Sequence, residues 1–146
     1  MKNTIIALAV LFFGLSSVRA QNADTKIEPN LEALTNTQNL LRDPKQRQEA
    51  LTTPNARSAA SQVSTVSLGR PEIENQLYDV SADLMTWVVQ MSQTDPEFFT
   101  KLSQNSNDPA FIKKFYEKVP AAQRDKIKSI AAQIESVRNP PPAKSP

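Results

Sequence analysis

The sequence predicts an all-α chain: a single small orthogonal or bundle-like helical domain of about six or seven helices around a central helix at 71–93. Three observations carry that expectation. Apolar residues recur at steps of three and four through several segments, the period of an amphipathic helix. Proline stands at the start of those segments, not inside them. No segment shows the sustained alternation of a half-buried strand.

The elements follow in order. Residues 1–20 have the layout of a secretory signal peptide. Lys2 supplies the positive start, Ile5 to Leu15 is apolar apart from Gly14, and Val18-Arg19-Ala20 ends in the small residues of a cleavage site before Gln21. The apolar run falls short of the ~20 residues a membrane span needs, and the chain has no Cys to carry a bacterial lipid anchor. The mature protein is therefore expected in the periplasm, or alternatively secreted, without stable membrane insertion. Residues 21–29 are polar and read as a flexible segment.

Residues 30–138 read as the helical domain, with helices expected at 30–42, 44–52, 54–68, 71–93, 96–104, 109–118 and 120–138. Asp43-Pro44, Thr53-Pro54, Asp95-Pro96 and Asp108-Pro109 each pair a capping side chain with proline at the first helical position. There the missing N–H has no partner to lose, and the cap oxygen accepts one of the free donors. Pro71 and Pro120 also precede helical patterns, and Gly69 stands where a C-terminal cap glycine belongs.

Within the helices, Ala56, Ala59, Val63 and Val66 share a face, as do Ile127, Ile130, Ile134 and Val137. In the longest segment Ile73, Leu77, Val80, Leu84, Trp87 and Met91 form one stripe, so Trp87 is expected in the core. Tyr78, Met85 and Val88 broaden the stripe, which marks this helix as central. Asp95-Pro-Glu-Phe-Phe-Thr-Lys-Leu102 and Asp108-Pro-Ala-Phe-Ile-Lys-Lys-Phe115 match in residue type at nearly every position. They are expected to form two short helices closing one end of the core. Residues 139–146, rich in proline, cannot continue a helix and read as a disordered tail.

Composition narrows the chemistry. The chain has no His and no Cys, so imidazole and thiolate ligands, Ser-His triads, catalytic cysteines and disulfides are excluded. Gly69 is the one glycine beyond the apolar start, too few for a phosphate-cradling loop. Loss of Lys2 and Arg19 with the signal leaves basic residues equal to the 15 acidic ones. A net charge of zero gives no general attraction to nucleic acid or anionic lipid. The charges are segregated along the chain. Residues 71–100 carry six acids and no base, and residues 101–128 carry seven bases against three acids. The two segments are expected to pack as neighbours.

Two constellations stand out. Asp79 and Asp83, at i and i+4 on the central helix, share a face with Glu72, Gln76 and Thr86. A carboxylate pair can do acid–base work or help to hold a divalent cation. The apolar stripe lies on the other side, however, so this face is expected to be solvated. No catalytic, cofactor or metal site is assigned. The second constellation is the aromatic and basic stretch at 96–119. Adjacent rings such as Phe98-Phe99 and Phe115-Tyr116 cannot all enter one core from short helices, and lysines flank them. Phe99, Lys113, Lys114, Tyr116 and Lys118 are the candidate partner-binding residues.

The expected function is thus that of an exported, non-enzymatic protein binding other proteins, such as an accessory subunit of a cell-envelope or secretion-related assembly. The alternative is a periplasmic chaperone or carrier, which requires an apolar cavity beside Trp87 and Met91. Carboxylate catalysis at Asp79/Asp83 is the third reading.

Overall fold

A computed structural model describes residues 31–105 and 108–142. The signal peptide expected at 1–20, the 21–29 segment, residue 30 and tail residues 143–146 lie outside the described residues. Among the described residues seven helices follow one another: α1 (Leu31–Arg42), α2 (Pro44–Glu49), α3 (Pro54–Val66), α4 (Pro71–Thr94), α5 (Phe98–Gln104), α6 (Pro109–Lys118) and α7 (Ala121–Arg138). No strand occurs among the described residues, and none of the described helices is long and apolar enough to cross a membrane. Residues 139–142 lie beyond the end of α7 and are exposed.

Most of the proline boundaries act as caps. The Asp43 carboxylate accepts from Lys45 N at 2.9 Å and Gln46 N at 3.3 Å. Thr53 Oγ1 accepts from Ala56 N at 3.2 Å, and Asp108 Oδ1 from Ala110 N at 2.9 Å. Asp95-Pro96 departs from the expectation. Asp95 Oδ1 takes Glu97 N at 3.1 Å, and Phe98 N closes a tight turn onto Asp95 O at 2.9 Å. Pro96 and Glu97 are used in that turn, and α5 begins only at Phe98. Helix α2 also stops short of residue 52. Ala50 N bonds to the carbonyls of both Gln46 and Arg47, and Leu51 N bonds to that of Gln48. This tightening ends the helix, and Thr53 must be extended because a proline follows it (φ −102°, ψ 152°).

Helix α3 ends in a Schellman arrangement. Gly69 N donates to Ser64 O at 2.9 Å, and Leu68 N to Thr65 O at 3.3 Å. Both residues are left-handed, with φ of +57° at Leu68 and +66° at Gly69. Leu68 thus holds the position most often given to glycine, and Gly69 the next one.

The main core is built on α4. Ile73, Leu77, Val80, Leu84 and Val88 meet Val63 and Val66 of α3, Phe98 and Leu102 of α5, Ile112 and Phe115 of α6, Val119, and Ile127, Ile130 and Ile134 of α7. The buried line on α4 passes from Leu84 to Val88, leaving Trp87 and Met91 half-buried beside it. Trp87 is therefore a wall of the core instead of its centre. Its ring stands edge-on to Phe98 at 6.3 Å and to Phe115 at 5.3 Å. Phe98 and Phe115 are 5.7 Å apart, so the two short echoing helices meet through rings against Trp87.

Helix α4 is also covered on its opposite side. Ala82 is fully buried and Met85 nearly so, yet neither belongs to the main cluster. Helix α1 lies over that side, running antiparallel to α4, because Gln38 reaches Ala82 and Thr86 while Arg42 reaches Asp79 and Asp83. The face expected to be solvated is in large part a helix–helix seam.

Candidate functional site

On α6, helical spacing sends Ile112 and Phe115 inward and leaves Lys113, Lys114, Glu117 and Lys118 exposed. Lys113 and Lys114 make no ion pair among the described residues. Lys118 is close enough to Asp95 to help hold its carboxyl below the ordinary carboxylate range, a shift led by the hydrogen bond from Lys101. Tyr116 is half-buried against the core, and its hydroxyl donates to the Arg124 carbonyl at 3.2 Å. Burial chiefly, with the charge of Asp125, raises the phenol above its usual range. Tyr116 thus joins α6 to α7 and offers only part of its ring to a partner. Phe99 belongs to α5, and its side chain lies outside what the structure describes. The predicted residues therefore divide, with three exposed lysines on one helix face and Tyr116 at their inner margin.

A second grouping was only half visible in the sequence, which showed the two acids without their partners. Asp79 and Asp83 are held by two cations from distant elements. Arg42 of α1 approaches Asp79 at 3.3 Å and Asp83 at 2.7 Å. Lys126 of α7 approaches Asp79 at 3.3 Å and Asp83 at 2.5 Å. Partial burial works to raise the Asp83 pKa, but the hydrogen bonds and charges of Lys126 and Arg42 outweigh it, and the carboxyl lies below its ordinary value. Lys126 is raised in turn, mainly by its bond to Asp83. Two acids and two bases at this spacing neutralise one another. Asp83, held below its ordinary value, is not poised to give up a proton near neutrality, as a general acid must be.

Arg42, Asp79 and Lys126 border a cavity of about 560 Å³ that is also lined by Pro44, Asn75, Gln76, Ser129 and Ile130. At its lining Gln76 exchanges side-chain amide hydrogen bonds with Gln133 at 3.1 and 2.8 Å, tying α4 to α7. Farther along, the Arg47 guanidinium lies 4.2 Å over the Tyr78 ring and donates to Asn75.

No protein-family model matches the chain, and no curated protein or solved structure is similar enough to count as a relative.

The functional reading therefore rests on these residues alone. The charge segregation along the sequence has a clear structural outcome. Of the six acids in 71–100, Asp79 and Asp83 pair with Lys126, and Asp95 and Glu97 pair with Lys101 at 3.0 and 3.4 Å. The bases left over are concentrated on α6. Asp79/Asp83 could be singled out from their i, i+4 spacing. Their partners could not, since Arg42 and Lys126 lie 37 to 47 residues away in the chain.

Proposed function

We propose that this chain is an exported, non-enzymatic helical protein that acts by binding another protein of the cell envelope, and that the outer face of α6 makes the contact. The observation that carries the reading is the division of α6 into two faces. Ile112 and Phe115 lock one face into the core, while Lys113, Lys114 and Lys118 stand exposed on the other. A helix fixed in this way presents its cations on a rigid support, with little ordering cost on association. A partner surface rich in Asp and Glu is the complementary chemistry. A carrier would need an apolar space beside Trp87 and Met91. Phe98 and Phe115 stand against the Trp87 ring, and a cavity among the described residues lies instead at the charged seam of α4 and α7.

The test compares two variants of the tagged protein for partner recovery from native envelope extracts. Lys113→Glu/Lys114→Glu/Lys118→Glu should keep its helical spectrum and thermal midpoint and lose its partner. Asp79→Asn/Asp83→Asn should keep the partner. The reverse result would move function to the charged seam, and recovery of the same partner by both variants would remove α6 from the contact.

A further inference from the structure

Helices α1 and α2 are attached differently from the rest of the protein. Helices α3 to α7 each place at least one residue in the buried core cluster, and α1 and α2 place none of their described side chains there. Among residues 32–53 no described side chain is fully buried; Leu34, Leu40, Leu41 and Leu51 are all only partly covered. The contact with α4 is broad but shallow, and polar clips run along it at antiparallel register beside the partly covered leucines. Arg47 meets Asn75 and Tyr78, Arg42 meets Asp79 and Asp83, and Gln38 meets Ala82 O at 2.8 Å and Thr86 Oγ1 at 2.9 Å. Beneath Gln38 lies the fully buried Ala82, and Met85 follows one helical turn along the same side of α4, outside the main core.

Segments with few buried apolar contacts open at free energies below that of global unfolding. Partly exposed ion pairs weaken as salt rises. The turn at 50–53 separates α2 from α3, the first helix rooted in the core. We infer that α1–α2 is a detachable strap: residues 31–49 leave α4 as one unit while α3–α7 stay folded, uncovering Ala82 and Met85, and the hold of Arg42 on Asp79 and Asp83 makes the closed state sensitive to salt. This inference does not depend on the reading of α6.

Amide hydrogen exchange on the intact protein tests it. Amides of 35–41 should exchange at least about a hundredfold faster than those of 77–88 and 127–134, as a sub-global opening requires. Arg42→Met, or a rise from low salt to about 1 M NaCl, should speed the 35–41 amides about three- to fivefold, the worth of partly exposed ion pairs, and leave 127–134 unchanged. The chain has no cysteine, so a thiol introduced as Ala82→Cys gives an independent measurement. It should label at the strap-opening rate, far faster than Leu84→Cys. Exchange of 35–41 at the core rate overturns the proposal. So does indifference of that exchange to Arg42→Met, or loss of protection in 127–134 along with it. An Arg42→Met protein whose α1 is unprotected while α7 stays protected supports it.

Discussion

The Arg42 guanidinium and the Asp83 carboxylate meet at 2.7 Å across 41 residues of sequence. The contact joins the first described helix to the central one, and Lys126 closes on the same carboxylate from α7. One side chain of α4 thereby ties three helices together.

The pH dependence of this junction has a definite sign. Asp83 titrates below its unfolded value, held there by Lys126 and Arg42 against the opposing effect of partial burial. Its contribution is therefore present above the ordinary carboxyl range and is lost as pH falls through the lower, folded value. Lys126 is raised, so its share persists through neutrality and disappears only in strong alkali. Asp83→Asn should cost about 1 kcal/mol at neutral pH and low salt. The gap to wild type should narrow below about pH 4. Denaturant melts at pH 7 and pH 3 check this, and a constant gap would argue against an ionic origin.

Trp87 and Leu84 should rank differently from a simple reading of the stripe. Leu84 is completely buried, and Leu84→Ala should cost about 3–5 kcal/mol. Trp87 has one side covered by Phe98 and Phe115, so Trp87→Ala should cost less, about 2–3 kcal/mol. Its fluorescence should show partial quenching by iodide, between the values for a fully buried and a free indole.

The end of α3 offers a test of backbone conformation without packing. A Cβ placed on Gly69 meets nothing within 4 Å, so Gly69→Ala should cost only the left-handed strain, about 1 kcal/mol. Leu68→Gly, at φ +57° and on an exposed side chain, should be neutral or stabilising by up to about 1 kcal/mol. Chemical denaturation, read against wild type, should show a loss for Gly69→Ala and none for Leu68→Gly.

Asp108→Ala should cost about 1 kcal/mol through loss of the bond to Ala110 N. Asp108→Asn or Asp108→Ser should recover most of it, since each keeps an oxygen at the cap. Thermal melts of the three variants separate a capping role from a charge role, which would recover with neither.

Much of the fold is legible from local rules. The caps at Asp43, Thr53 and Asp108, the prolines after them and the 3–4 spacing of Ile73, Leu77, Val80 and Leu84 act within one turn of helix. Among the described helices they set where three begin and which way the central one faces. Asp95-Pro96 has the same grammar as Asp108-Pro109, yet its carboxylate is drawn into a turn with Glu97 and Lys101, and the helix starts later. The candidate site divides in the same way. The outward position of Lys113, Lys114 and Lys118 follows from the spacing of Ile112 and Phe115 and could be read in advance.

The helical class, the helix order, the centrality of the helix expected at 71–93 and the absence of thiol and imidazole chemistry are legible along the chain, because propensity, capping and composition are local properties. That the Asp79/Asp83 face is a seam, that Trp87 borders the core and that polar clips pin α1 come from packing. Each of those depends on which distant residue arrives opposite, and helical periodicity describes a face of one helix without naming what covers it. A carboxylate pair reads the same in sequence whether water or Arg42 and Lys126 neutralise it, and packing alone brought those two cations to α4.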